Sequence, residues 1–161
     1  MAELSSVENI VRVIFPQTMM NEGELLPGAF KLRERPEGSE QYISVFRQYC
    51  EAFFNDISAF DKQRNLPCCI MNVGEITETE LKIENKSTKY NVKAVPTDNY
   101  QSHAGIFTYL DGMLIEGNVK GAFSALKIGE ESKYILIAIR RRLVEIAKKR
   151  ITTVSQIAKH F

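Results

Sequence analysis

Two short segments between residues 90 and 109 constrain the fold most. Tyr90-Asn-Val-Lys-Ala-Val95 alternates apolar and polar positions and is stopped by Pro96, and Ala104-Gly-Ile-Phe-Thr-Tyr109 follows after a polar loop. A period of two puts successive side chains on opposite faces of a strand. Tyr42-Ile-Ser-Val-Phe46 has the same period and is rich in β-branched and aromatic residues. Strands joined by short turns pair antiparallel, because parallel neighbours need a crossover of about a dozen residues or more. This pattern narrows the fold to one built on a mainly antiparallel sheet.

Three further segments join the sheet. Val11-Arg-Val-Ile-Phe15 is ended by Pro16, Cys68-Cys-Ile-Met-Asn-Val73 is a compact apolar run closed by Gly74, and Leu81-Lys-Ile-Glu84 precedes the alternating region. Glu75 to Leu81 reads either as a short helix or as the approach to that last strand. Residues 16–28 read as a loop with Gly23, Pro27 and Gly28, Gly28 to Leu32 as a short extended piece, and Arg33 to Glu40 as a charged surface loop.

Elsewhere the period changes to three and four. Cys50, Phe53, Phe54, Ile57 and Phe60 mark one face of an amphipathic helix, and Tyr134, Ile135, Ile139, Leu143 and Ile146 or Ala147 mark another. Ser5-Ser-Val-Glu8 and Thr153-Val-Ser-Gln156 have the spacing of a capping box. The fold class is therefore α+β: a single domain over residues 1–161, with a small, mainly antiparallel sheet, packed helices and a basic C-terminal helix. Its core is expected to include Phe53, Phe54, Ile57, Val73, Val92, Ile106, Ile139 and Leu143.

Charge is distributed unevenly. Residues 133–161 hold eight basic side chains against one acid, Glu145, so this stretch carries +7 and the rest of a chain of net charge +1 carries −6. Such asymmetry points to something acidic meeting the basic end: nucleic acid, a protein partner, or the acidic remainder of the same fold. Arg140, Arg141, Arg142, Lys148, Lys149 and Arg150 are the partner-binding candidates, with Arg140 to Arg142 expected to be largely exposed. A protein partner is favoured. Thr153 to Phe161 resembles only the opening helix of a helix-turn-helix, so nucleic acid is left with non-specific contact to the tail.

No apolar run approaches the roughly 18 residues that span a bilayer, and the first residues have neither a basic nor an apolar signal region. A cytoplasmic protein without membrane attachment is expected. Cys68 and Cys69 are adjacent, so on a strand they point to opposite faces and cannot easily share one ion, and there are only two histidines. Free buried thiols, no metal and no cofactor follow. Phosphate-cradling glycine loops, the G-x-S-x-G elbow and H-E-x-x-H are all missing from the sequence.

His103 is the residue that could carry chemistry. It stands in a loop at the entrance to a strand, beside the small residues Ala104 and Gly105. There it serves either as a loop clamp, which is favoured, or as a general base. Arg12 lies inside an apolar strand. With Val11, Val13 and Phe15 facing the core it faces water; in the other reading Arg12, Ser44 and His103 share a cleft that takes a phosphate-bearing ligand.

Three pieces together, Gly28-Ala-Phe-Lys31 with Tyr42-Ile-Ser-Val45, Pro96 with Ser102-His-Ala-Gly-Ile106, and the basic helix, resemble a family of small uncharacterised bacterial proteins. The resemblance runs over roughly residues 10 to 150 and makes Ala29, Phe30, Ser44, Val45, Pro96, His103 and Ala104 the signature positions. It implies a bacterial origin but no activity, and the segment after Arg150 lies beyond the pattern. Two functions follow as expectations. One is an interaction module or accessory subunit of a multi-gene system. The other is a small transferase or hydrolase, ADP-ribosyl-transferase-like by fold-level analogy, with catalytic residues His103, Ser44 and Arg12.

Overall fold

The computed structural model describes residues 2–32, 34–35, 38–39, 41–63, 65–83, 85–115 and 131–158. Arg33, Pro36, Glu37 and Glu40 of the expected charged loop, Glu84 of the expected strand and Lys159 to Phe161 of the expected last helical turns lie outside these residues.

The fold is α+β around an eight-stranded sheet. Its strands are β1 (Asn9–Val13), β6 (Ile43–Arg47), β7 (Pro67–Asn72), β8 (Glu80–Ile83), β9 (Lys86–Ala94), β10 (His103–Leu110), β11 (Met113–Leu114) and β12 (Ile151–Thr153). They run in the order β12-β7-β1-β6-β10-β9-β8, with β11 on β10, and every pairing among the described residues is antiparallel. Two small ribbons stand apart, β2 (Met20–Asn21) with β3 (Glu24–Leu25), and β4 (Glu34–Arg35) with β5 (Gly38–Ser39).

The loop expected at 16–28 is structured instead. Pro16, whose missing N–H is no loss in a first turn, opens α1 (Pro16–Met19). The β2–β3 hairpin then turns at Glu22 and Gly23, with φ of 51° and 82°, the left-handed pair that suits the twist of flanking strands. Pro27 starts a 3₁₀ turn, Pro27–Phe30, where an extended segment was expected; its Ala29 and Phe30 are buried. At Ser5 to Glu8 only half of the capping box forms: Ser5 N–H donates to Glu8 Oε2 (3.3 Å), whereas Glu8 N–H donates to the Ser5 backbone carbonyl (3.1 Å) and Ser5 Oγ accepts from Val7 N–H (3.4 Å). It closes one turn and no helix, because β1 begins at the next residue.

The helices are α2 (Phe53–Phe60), α3 (Val73–Thr77), α4 (Glu131–Ala147) and α5 (Val154–Ala158). The end of β7 passes directly into α3, because the Asn72 side chain accepts from Glu75 N–H (3.0 Å) and caps the turn. Thr153 does the same for α5, accepting from Gln156 N–H (3.2 Å). On α4 the expected stripe is buried at Ile135, Ile139, Leu143, Ile146 and Ala147, but Tyr134 is 75% exposed. The turn of chain after α4 adds β12 to β7, a three-residue edge strand too short to leave a periodic signal.

Each face of the sheet has its own cluster of buried side chains. Ile10, Ile14, Ile43, Val45, Cys69, Tyr90, Val92 and Ile106 face α4, α3 and the 3₁₀ turn. Val11, Val13, Phe46, Cys68 and Ile70 face α2 and α5. Tyr90 ties the sheet to α4 through its hydroxyl, which donates to Ile139 O (2.9 Å). On α2 the fully buried side chains are Phe53 and Ile57, while Phe54 is half-buried and Phe60 is 38% exposed. Phe54→Ala is therefore expected to cost about 1–2 kcal/mol by urea unfolding, below the 3–5 of a fully buried ring. A loss above about 3 kcal/mol would place the ring in the core.

Candidate functional site

His103 is the first residue of β10 and is half-buried. Its Nδ1 lies 2.8 Å from Val95 O. A carbonyl only accepts, so Nδ1 carries the hydrogen and Nε2 is the acceptor of the neutral ring. His103 N–H also donates to Tyr100 O (3.2 Å), and Val95 N–H donates to His103 O (2.9 Å). The residue before it is anchored from below. Buried Asp56 of α2 accepts from Ser102 N–H (2.8 Å) and Ser102 hydroxyl (2.6 Å) through one oxygen, Oδ2. A buried carboxylate needs such donors, and these two fix the loop against α2. Asp98, the nearer candidate in sequence, is exposed.

Arg12 does not face water. On β1 it falls between Ile10 and Ile14, on the face that meets α4 and the 3₁₀ turn. Its guanidinium donates to Ala29 O from Nε (3.3 Å) and Nη2 (3.0 Å), and to Ser44 O from Nη1 (2.8 Å). The central strand is buried on both faces, so alternation carries no information about solvent there.

Ser44 alternates with Ile43 and Val45 and so points to the other face, with Phe46 and His103; its β10 partner is Gly105. The sheet therefore stands between the side chains of Arg12 and His103. The arrangement in which Arg12, Ser44 and His103 line one cleft is not the one found. What reaches across is the Ser44 main chain, through its carbonyl.

A row of rings runs along the His103 face. Phe15 and Phe60 are 6.1 Å apart between centroids, Phe60 and Phe46 5.4 Å, Phe46 and His103 6.3 Å, His103 and Tyr42 5.7 Å, and Tyr42 and Phe107 5.2 Å. These are the tilted and edge-on separations that ring quadrupoles favour. The row is continued by a cation: Lys93 Nζ sits 5.1 Å over Phe107 and 5.6 Å over Tyr109, and donates to the Tyr109 hydroxyl (3.1 Å). Gly105 makes the row possible. A Cβ there would lie 2.6 Å from Tyr42 Cδ2, so only glycine lets Tyr42 lie flat across β10.

Among the described residues, α2 and α5 cover this face over β7, β1 and β6 and leave it over β10 and β9. There Tyr42, Asn91, Lys93 and Tyr109 are half-buried and Lys89 is exposed. A groove of about 700 Å³ opens at the Tyr109 end, lined by Glu80, Lys89, Asn91 and Tyr109 among others. The sequence hides this site because each ring sits in an ordinary alternating strand. The signal that could have found it is the coincidence of Tyr42 and Phe46 on one face of β6 with Phe107 and Tyr109 on one face of β10.

The basic residues are partly neutralised within the fold. Lys149 pairs with Glu75, and Arg142 Nη1 pairs with Glu145 Oε2 (3.1 Å). Arg140 and Arg142 are half-buried, not largely exposed, because they flank the packed stripe of α4, and burial lowers the proton affinity of Arg140. Arg141, Lys148 and Arg150 are exposed. The acidic remainder of the same chain is thus one real partner of the tail. Cys68 and Cys69 are free and point to opposite faces.

A second open groove, about 680 Å³, runs between β8 and α4 and is lined by Glu78, Leu81, Tyr134, Ile137, Ala138 and Arg141 among others. Among the described residues no helix is long and apolar enough to cross a membrane. Compared with known protein families, with curated proteins and with solved structures, the chain finds no match.

Proposed function

We propose that the chain is a protein-interaction module, an accessory subunit that works in the bacterial cytoplasm and binds its partner on the uncovered part of the His103 face. The observation that supports this reading is the ring row ending at Tyr109 and Lys89. Tyrosine offers large contact area at low conformational cost, and a lysine beside it adds a charge for a carboxylate of the partner. The partner that fits is a protein that lays a ring or an aliphatic stem on Tyr42 and Tyr109 and brings both signs of charge to the groove, which Glu78, Glu80 and Asp111 line together with Lys89. His103 belongs to this surface as a clamp: its Nδ1 hydrogen bond keeps the loop down and its ring supports Tyr42. The exposed cations Arg141, Lys148 and Arg150 form the second candidate surface, because no described carboxylate is bonded to them.

Comparative capture from the native cell extract, quantified by mass spectrometry, separates these surfaces. Lys89→Glu and Tyr109→Ala are expected to lower the recovery of the same bound protein about tenfold, the scale of one interfacial hot-spot contact. Lys148→Glu is expected to keep it. Loss with Lys148→Glu alone moves the site to the basic tail. Recovery of nucleic acid that falls steeply with salt overturns the protein reading. A substrate-dependent activity abolished by His103→Gln, with folding intact, overturns the module.

A further inference from the structure

The sheet ends at β8, and among the described residues nothing pairs with the outer side of that strand. Yet the layer above the sheet does not end there. Leu81 points to the α4 side, since its cross-strand neighbour Thr88 lies in line with buried Tyr90. Beside it α4 turns Tyr134 and Ile137, 75% and 37% exposed, into the groove that Leu81 also lines. An aromatic and an aliphatic side chain of α4 thus share one open groove with the edge strand. An exposed sheet edge is a template for another strand, and evolution usually blocks it.

The composition of β8 says which strand fits. Its sequence is Glu80-Leu81-Lys82-Ile83. We propose that β8 pairs antiparallel with β8 of a second copy of this chain, about a two-fold axis at Leu81, to give a homodimer with one continuous sheet. In that register Glu80 stands opposite Lys82 of the other copy, Lys82 opposite its Glu80, and Leu81 opposite Leu81. Two opposite-charge pairs form directly across the strands on one face, and an apolar pair forms on the other. Within the chain Glu80 already lies opposite Lys89 and Lys82 opposite Ser87, so the added strand extends an alternating row of charges across the sheet.

The same two-fold axis, perpendicular to the sheet, brings both α4 helices to one side of it. Their exposed flanks, carrying Tyr134 and Ile137 with Arg141 and Glu78, then face each other over the Leu81 pair. A surface that meets a rotated copy of itself has to be self-complementary, and one that carries both Arg141 and Glu78 can pair opposite charges across the axis. Glu80 also lines the Tyr109 groove, so the test reads self-association of the purified chain, which does not depend on the partner proposed for the His103 face.

Charge exchange tests it, read as mass by light scattering and as dissociation constant by sedimentation. The wild type is expected to run as a dimer. Glu80→Lys gives four lysines at the interface and Lys82→Glu gives four glutamates, each turning two attractive pairs into repulsive ones. Both are expected to weaken the dimer on the order of tenfold or more. The doubly exchanged chain and an equimolar mixture of the two single variants are expected to recover it, since each restores opposite charges in the same register. Thermal midpoints of the variants confirm that each still folds. A monomeric wild type at high concentration overturns the inference, and so does a dimer that the single exchanges leave unchanged or that the mixture fails to restore.

Discussion

Arg12→Ala is expected to destabilise the half-buried network around it by about 2–3 kcal/mol in urea unfolding at neutral pH, the range for carbonyls that lose a charged donor. The guanidinium joins three pieces of chain: β1, which carries it, the 3₁₀ turn through Ala29 O, and β6 through Ser44 O. Without it two carbonyls beneath α4 lose their donor, and an alanine is too short to readmit the turn. Arg12→Lys is expected to recover a minor part, because a single ammonium cannot form the forked contact to Ala29 while also reaching Ser44. A change below about 1 kcal/mol, the scale of surface substitutions, would return Arg12 to the solvent-facing role that its sequence context suggests.

Alkaline pH is expected to have a comparable effect. Burial pushes the Cys68 thiol from the ordinary 9.0 up to about 12, with the nearby charges of Cys69 and Asp61 adding to it. Burial also raises Cys69 to about 12, against the opposing influence of Arg12. In the unfolded chain these thiols release protons near pH 9; in the folded chain they keep them. The unfolded state therefore binds fewer protons above pH 9, and stability falls as pH rises from there toward 12. Below pH 9 the contribution is fully present. The slope is roughly 1.4 kcal/mol per pH unit for each thiol. Tyr90, raised above its ordinary 10 by burial under α4, steepens the loss at the upper end. Urea unfolding between pH 8 and 11 measures the slope, and the Cys68→Ala, Cys69→Ala chain is expected to flatten it. Stability that stays level to pH 11 would mean that the thiols ionise in the fold.

β9 was legible because it lies where one face is packed and the other is wet, whereas β10, buried on both faces from Ala104 to Thr108, was legible by its apolar run. On β9 Tyr90 and Val92 are buried while Lys93 and Asn91 are not, which is the pattern that a period of two records. The same rule misleads at β1. Ile10-Val-Arg-Val-Ile14 has one polar residue in five, and that near-continuous apolarity is the mark of a strand covered on both sides. The phase of α4 could be read from its stripe, and on α2 Phe53 and Ile57 are buried as expected; the packed face is turned from Phe54 toward Asp56, because the partner of that carboxylate, Ser102, is far along the chain. The 3₁₀ turn and β12 are short local structures fixed by tertiary contacts, and period has little to say about them. At the candidate site His103 stands out from the loop around it, and its hydrogen bond to Val95 O is one that this loop position allows. The ring row was not, since neighbours across a sheet depend on strand order.

That strand order also bears on how the molecule is made. β1 is the first long strand of the sheet and sits inside it, between β6 and β7; Arg12 and Cys69 are partners, as are Ile10 and Arg47. During synthesis Ile10 to Ile14 therefore leave the ribosome as a bare apolar ribbon and wait for partners that come roughly 35 to 60 residues later, which at about 5–20 residues per second is several seconds. Strand pairs closed over such separations form slowly, because the loop entropy is lost before the contacts are made. The early chain is thus most exposed to aggregation through a strand that later lies inside the sheet, and Arg12 is the one charged side chain within Ile10 to Ile14 to oppose it.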